Sequence, residues 1–230
     1  MSGTILLVED DVRLGALLCE FLGAHGYAVS VVEDGLSAIE RLRAEPPQIM
    51  ILDLMLPGLR GLDVLRQVRP FFRGGVLIMT ASKAEGDELD GLELGADDFV
   101  TKPIDPRILL ARVRSVLRRA MPPAESVAGS TPPVVVANLW LDQPSRTVKV
   151  NGAPVELTST EFALLWALAV RAGTVVSRDE LYTEALGSTY DGLDRGVDIH
   201  LSRLRKKLAS HGFDPATIKS VRSVGYLLGR

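Results

Sequence analysis

The 230-residue sequence has one cysteine, three histidines and 5% aromatic residues. The single thiol, Cys19, excludes an intramolecular disulfide. It falls in an apolar stripe with Leu14, Leu17, Leu18, Phe21 and Leu22, and is expected to be a buried structural thiol. The longest uninterrupted apolar run, Phe162 to Val170, is far shorter than the roughly 20 residues of a membrane-spanning helix. The opening Met1-Ser2-Gly3-Thr4 has no basic region ahead of a long apolar stretch, so no secretory signal is read there. A cytoplasmic protein without a membrane partner is expected. Neither GxxxxGKS/T nor GxGxxG occurs, which disfavours nucleotide binding.

What is present is ordinary in bulk and uneven in placement. With 47% hydrophobic and 24% charged residues, the chain can bury a normal core as one large domain or two small ones. The net charge of −3 argues against a wholly basic nucleic-acid binder. Through Ala120 there are 14 basic and 18 acidic residues, a net of −4; from Met121 onward there are 12 and 11, a net of +1. Between Arg195 and Arg222 seven basic residues face only Asp198 and Asp214, a net of +5. One short segment therefore carries a basic footprint.

Residues 121–133, MPPAESVAGSTPP, hold four prolines among small and polar residues and are expected to form an extended linker. Before it, residues 1–120 alternate short apolar runs with helical periodicity. The runs are Ile5–Val8, Val29–Val32, Ile49–Leu52, Val76–Met79 and Phe99–Val100; helical spacing links Leu14, Leu17, Leu18 and Phe21, and Ile108, Leu109, Val113, Val116 and Leu117. Five strands buried on both faces between helices predict an α/β, doubly wound, five-stranded parallel sheet. After the linker, residues 134–230 predict an α+β unit. Val134–Leu141 and Thr147–Leu157 are expected as two antiparallel strands. Capping boxes at Thr158/Glu161 and Ser177/Glu180 open two helices, a third runs from about Asp194 to Ala209, and a hairpin from Ile218 to Leu227 turns near Gly225.

In the predicted parallel sheet the first strand ends in Glu9-Asp10-Asp11, the third in Asp53, the fourth in Thr80 and the fifth in Lys102. Such ends share the edge where these folds bind ligands. Crowded carboxylates call for a cation, and hard oxygen ligands suit Mg²⁺. Asp53 can then attack phosphorus while the metal and Lys102 absorb the developing charge. The segments Leu7-Val8-Glu9-Asp10-Asp11, Leu52-Asp53-Leu54-Met55-Leu56-Pro57-Gly58, Met79-Thr80-Ala81 and Thr101-Lys102-Pro103 resemble the receiver domain of response regulators, over residues 4 to 120. The resemblance implies Asp53 as phosphoacceptor, with Glu9, Asp10 and the Met55 carbonyl joining it around Mg²⁺. It implies Thr80 and Lys102 as phosphoryl contacts, a cis peptide before Pro103, and Phe99 as the aromatic that turns inward with Thr80. An aspartyl-phosphate hydrolase of the haloacid-dehalogenase type is the competing class. It usually needs a second aspartate two residues after the nucleophile, and here Met55 stands there.

In the last predicted helix Val197, Leu201, Leu204 and Leu208 form one buried stripe, with Arg195, Ile199, Ser202, Arg203 and Lys206 opposite. Two capped helices before it and a hairpin after it make a winged helix-turn-helix. Arg203 is expected to fork onto a guanine edge and Ile199 to meet a thymine methyl. Arg205, Lys206 and Lys207 are expected at phosphates, and Arg222 in the minor groove. His200 is expected at the surface, touching DNA backbone. A protein- or RNA-binding output is the alternative, but the helix lacks the stacking aromatics of sequence-specific RNA readers. Residues 134 to 230 resemble the OmpR/PhoB effector domain, through Leu157-Thr158-Ser159-Thr160-Glu161-Phe162, the Val197–Leu208 segment and Val224-Gly225-Tyr226; Tyr190 to Arg195 looks most like the RstA branch. Ser223 departs from a frequent Gly, and Leu227 from a frequent Arg.

The two resemblances together imply a two-component transcription regulator rather than an enzyme. A sensor histidine kinase donates the phosphoryl group, the receiver pairs with a second copy through its fourth helix, fifth strand and fifth helix, and paired winged helices bind double-stranded promoter DNA. RNA polymerase is a further partner. Asp97 with Arg119, and Asp98 with Arg112, have the offsets of the family's intersubunit ion pairs. The positions of a third pair hold Glu88 and Ile108.

Overall fold

The computed structural model describes residues 3–81, 85–120, 132–186 and 196–229. It divides into two compact units, Met1–Ala120 and Met121–Arg230. Most of the expected linker, residues 121–131, lies outside the described residues.

In the first unit strands β1 (Thr4–Val8), β2 (Ala28–Val32), β3 (Ile49–Asp53), β4 (Gly75–Thr80) and β5 (Asp98–Thr101) alternate with helices α1 (Val12–Ala24), α2 (Gly35–Ala44), α3 (Gly61–Val68), α4 (Glu85–Leu94) and α5 (Pro106–Ala120). All pairings are parallel, in the order β2-β1-β3-β4-β5. The order reverses at β1, so the crevice beyond the carboxyl ends of β1 and β3 is the topological switch point. Alternate strand residues serve two apolar layers. Ile5, Leu7, Ile49, Ile51, Leu77 and Met79 pack with Leu18 and Leu22 of α1 and Leu109, Val113 and Val116 of α5. Their neighbours Leu6, Val8, Met50, Leu52, Val76 and Ile78 are equally buried, because both faces are covered. Within α1 the buried stripe runs through Gly15, Leu18 and Leu22. Leu17 points to solvent and Cys19 is half-buried beside the Val29 carbonyl, which corrects the expected stripe.

The second unit begins with a four-stranded antiparallel sheet, β6 (Val134–Val136), β7 (Leu139–Asp142), β8 (Thr147–Val150) and β9 (Ala153–Pro154). Each expected strand is thus a hairpin. Ala137 turns the first with φ 52°, and Asn151-Gly152 turns the second with φ 52° and 80°, the backbone of a type I′ turn. A run of apolar residues broken only by Asn138 hid the first turn, and Asn-Gly was a signal available for the second. Helix α6 (Ser159–Ala169) carries the expected capping box at Thr158/Glu161. Ser177/Glu180 caps α7 (Arg178–Leu181), which runs on as a π-helical turn, Tyr182–Leu186. Helix α8 spans Gly196–Ala209. Strands β11 (Ile218–Val221) and β12 (Gly225–Leu228) form the wing hairpin, and β12 also pairs with β10 (Val175–Ser177). The turn precedes Gly225 rather than centring on it. Ser223 sits at φ 58°, the left-handed backbone that explains why a glycine is frequent there in the family. Gly225 is fixed by space: a Cβ would stand 1.9 Å from the Val176 carbonyl oxygen.

Candidate functional site

Two clusters of polar side chains stand out, one in each unit. In the first, strand ends deliver Glu9, Asp53, Thr80 and Lys102 to one edge of the sheet. Glu9 and Asp53 are almost wholly buried, and Asp10 is exposed at the rim. One oxygen from each of Glu9, Asp10 and Asp53 lies within 4.8 Å of the others. Asp11, which the sequence places beside them, is occupied otherwise. Its carboxylate caps α1, accepting from the Arg13 and Leu14 amides. Lys102 Nζ donates to Asp53 Oδ2 at 2.7 Å and to Glu9 Oε1 and Oε2 at 2.9 and 2.8 Å. The Met55 amide donates to Asp53 Oδ1 at 3.1 Å, while the Met55 side chain is exposed. Behind Asp53, α3 starts at Gly61, where a Cβ would come 2.2 Å from the Asp53 carbonyl oxygen. Only glycine lets the helix approach the strand end this closely.

Burial pushes the Glu9 carboxyl up, the Lys102 hydrogen bond pulls it down, and the Asp53 charge pushes it up again; it lies above the usual carboxylate value. Burial would depress the Lys102 ammonium, but Asp53 and Glu9 outweigh it and its pKa is raised. Both shifts describe one excess of negative charge around one cation. Thr80 is fully buried, and its carbonyl accepts from the Lys102 amide at 2.7 Å. The Lys102–Pro103 peptide is cis, as the receiver resemblance implies. Phe99 is half-buried, with the Arg112 guanidinium 5.8 Å from its ring centre.

At the start of β5 the acidic pair splits. Asp98 Oδ1 accepts from Arg112 Nη1 at 2.6 Å within the chain. Asp97 points inward, where its carboxylate meets Arg69 Nη2 at 2.8 Å and the Val76 amide at 2.9 Å. Arg119 is also buried, donating to Ser115 Oγ at 3.0 Å. Within one chain, then, Asp97 and Arg119, expected as an intersubunit pair, are both buried, and Asp97 ties β4 and the end of α3 to the start of β5 from inside. Arg69, which also donates to the Phe72, Gly74 and Gly95 carbonyls, was not singled out in the sequence. It looks there like one solvated arginine at a helix end.

In the second unit α8 buries Val197, His200, Leu201, Leu204 and Leu208. His200 belongs to this core, which corrects its expected surface position. Helical geometry leaves Ile199, Ser202 and Lys206 opposite the stripe, with Ser202 and Lys206 exposed and Ile199 half-exposed. Both flanks are held. Arg203 Nη2 lies 3.1 Å from Glu161 Oε1, and Lys207 Nζ 2.6 Å from Glu161 Oε2. On the other flank Arg205 donates to the Ile218 carbonyl and Ser220 Oγ of the wing, at 2.9 and 3.1 Å. Arg178 and Arg205 both stand over the buried Tyr226 ring, and Arg178 also reaches Asp198 at 3.2 Å. Arg203, Arg205 and Lys207, expected at DNA, have partners inside the domain. Long side chains on the shoulders of a helix bend toward a nearby buried carboxylate or carbonyl, which a helical projection does not reveal. Arg222 is exposed at the wing tip, and Arg195 lies outside the described residues.

The family model "Response regulator receiver domain" matches residues 5–114, and "Transcriptional regulatory protein, C terminal" matches residues 152–228. Transcriptional regulatory protein RstA of Escherichia coli K12 is 36% identical over 230 residues, covering 97% of this chain and 96% of its own length. The chain is a response regulator of the OmpR/PhoB type. Sensory transduction protein RegX3 of Mycolicibacterium smegmatis is 39% identical over 226 residues, with 98% of each chain covered. Among solved structures, DrrB, a Thermotoga maritima OmpR/PhoB homolog, matches over the whole of both chains with 30% identity and a TM-score of 0.51.

As a response regulator the chain joins a receiver to a DNA-binding transcriptional output, and the two clusters fall one in each. The receiver cluster was fully named from sequence, because strand ends in a parallel sheet converge whatever the loops do. Glu161 was recognised there only as a capping residue. Its second role needed knowledge of which helix crosses α6.

Proposed function

We propose that the receiver, residues 1–120, is switched by phosphorylation of Asp53, and that the switch drives paired binding of residues 134–230 to promoter DNA across the linker at 121–133. The observation that carries this reading is the Lys102 ammonium shared between the Asp53 and Glu9 carboxylates at the switch point of the sheet.

An Asp53 oxygen forms the new P–O bond while the P–N bond of a phosphohistidine on a sensor kinase breaks, its electron pair passing to the imidazole. Glu9, Asp10 and Asp53, with the Met55 carbonyl, would hold Mg²⁺, and their close-set oxygens fit a hard cation. Bound there, the ion supplies charge neutralisation for the transferring phosphoryl group. Lys102 moves its hydrogen bonds from the bare carboxylates to the phosphoryl oxygens. The Thr80 hydroxyl turns toward them, and Phe99 follows into the space vacated. This is self-modification and self-dephosphorylation, not turnover of an external substrate.

The phosphorylated receiver pairs through α4, β5 and α5, where Leu89 and Ile108 are exposed apolar side chains. Asp98 and Arg112, already partners within one chain, exchange across the two-fold axis. In the output domain Ile199, Ser202 and Lys206 face the major groove, Arg195 is a further DNA contact, and Arg222 reaches the minor groove. RNA polymerase is the downstream partner, and the setting is the cytoplasm; no helix among the described residues is long and apolar enough to cross a membrane. Selection of duplexes from a random pool tests the whole reading. Phosphorylated protein should enrich paired half-sites about one helical turn apart, and Asp53→Ala should not. Equal enrichment of the same site by both proteins would sink the phosphorylation switch.

A further inference from the structure

Glu161 has 0% exposure, yet it is surrounded by charge from a single element. Its Oε2 accepts from the Thr158 amide at 2.8 Å, completing the cap of α6. The same oxygen lies 2.6 Å from Lys207, and the other lies 3.1 Å from Arg203, both on α8. The cap does not need the charge, since glutamine serves equally at this position of a capping box. Burial alone would push the Glu161 carboxyl up, but the Arg203 and Lys207 cations outweigh it and hold its pKa below the usual value. The negative charge is therefore bound up with those two cations.

Their place on the helix gives this consequence. At about 100° per residue, Arg203 and Lys207 occupy the shoulder between the buried stripe and the outward strip of Ile199, Ser202 and Lys206. The side chains keep only 11% and 34% of their surface exposed. The opposite shoulder is held by Arg205 on the wing and by the Asp198–Arg178 pair. Cations released from either shoulder would reach DNA phosphates, which lie beside any helix in the major groove and carry no sequence information.

We propose that Glu161 is a specificity-positioning residue, withholding Arg203 and Lys207 from the DNA backbone so that α8 reads with its narrow outward strip. This rests on the reading that α8 enters the groove. Strength is traded for discrimination: each phosphate contact steepens the salt dependence by about 0.9 in log–log slope and, at 0.15 M salt, raises affinity for any duplex about fivefold.

The test is a salt series of binding isotherms on a selected site and a scrambled one, with the full-length protein. Glu161→Gln keeps the cap acceptor and removes the charge. It should steepen the slope by about one to two units, raise affinity for scrambled duplex about fivefold or more, and lower the ratio of selected to scrambled binding. An unchanged slope, with both affinities lowered alike, means that Glu161 only supports the fold and overturns the proposal. Two alanine variants keep the question open to refutation if Glu161→Gln folds poorly. Lys206→Ala should flatten the slope by about one unit and Lys207→Ala should leave it as it was. If Lys207→Ala flattens it as much as Lys206→Ala, Lys207 is not withheld and the proposal fails while the placement of α8 stands. If Lys206→Ala has no effect, the placement of α8 itself is wrong and the proposal goes with it.

Discussion

Lys102 Nζ lies 2.7 Å from Asp53 Oδ2 and simultaneously within 3 Å of both Glu9 oxygens. Two buried carboxylates thus depend on one ammonium. Mg²⁺ in excess should take over part of that neutralisation and raise the receiver's melting temperature, by about 2.7 kcal/mol of linkage at one hundred times its dissociation constant. Lys102→Ala should melt lower without metal and gain more from adding it. Calorimetry with Mg²⁺ and with a chelator checks both, and a wild type indifferent to Mg²⁺ removes the metal from the site.

Asp97 and Arg69 form the receiver's second buried pair, and here loss of the cation has no remedy. Asp97 is 1% exposed, and Arg69 spreads its donors over that carboxylate and three backbone carbonyls. Removing one partner of a buried pair costs about 3–5 kcal/mol, because the other charge is left in low dielectric. Arg69→Ala should therefore lower the denaturant midpoint of the receiver by an amount comparable to a large core truncation. A loss below about 1 kcal/mol would mean that water replaces the guanidinium.

These two pairs mark the boundary of what the sequence discloses. Asp53, Glu9 and Lys102 are legible because a parallel sheet brings its strand ends to one edge, so identity and topology suffice. Asp97 and Asp98 are adjacent in sequence and were read alike, but Asp97, in the bend before β5, meets Arg69 on the inside, and Asp98, the first residue of the strand, meets Arg112. Arg203 was assigned to the groove by helical projection, which gives the direction of the Cα–Cβ bond and not where a long guanidinium ends. A buried acceptor on a neighbouring helix decides that, and only the crossing of α6 and α8 supplies one. The hairpin at Ala137 was hidden for a simpler reason, since Asn138 alone marks the turn inside an otherwise apolar run.

Asp98 and Arg112 already satisfy each other at 2.6 Å within one chain, both partly exposed. Exchanging that pair across a dimer axis substitutes one contact for another, and exposed pairs contribute about 0–1 kcal/mol. Arg112→Ala should weaken phosphorylation-induced dimerisation by no more than about fivefold, the equivalent of 1 kcal/mol. The apolar contacts of Leu89 and Ile108 should matter more, so Ile108→Asp should cost more than Arg112→Ala. Sedimentation analysis of the phosphorylated proteins separates them; equal dimerisation by all three proteins puts the interface elsewhere.

Glu161 links the output domain's stability to pH in a definite direction. Burial raises its pKa, but Arg203 and Lys207 together with the Thr158 amide lower it further, so the folded value lies below the ordinary 4.5. A carboxyl with a depressed folded pKa contributes stability that is complete above its unfolded value and is lost as pH falls through the folded one. The output domain should therefore weaken on acidification below about pH 4.5. Glu161→Gln should be less stable near neutrality by about 1–3 kcal/mol, since the Arg203 and Lys207 attraction to a buried carboxylate is lost while the freed cations regain solvent. The variant should also lose less on acidification, so that the two curves converge at low pH. Both tryptophans, Trp140 and Trp166, belong to this domain, so indole fluorescence in the full chain follows its unfolding without interference from the receiver. Parallel curves, with the same gap at pH 7 and pH 3.5, would mean that the Glu161 charge contributes nothing and that only its shape and its cap are used.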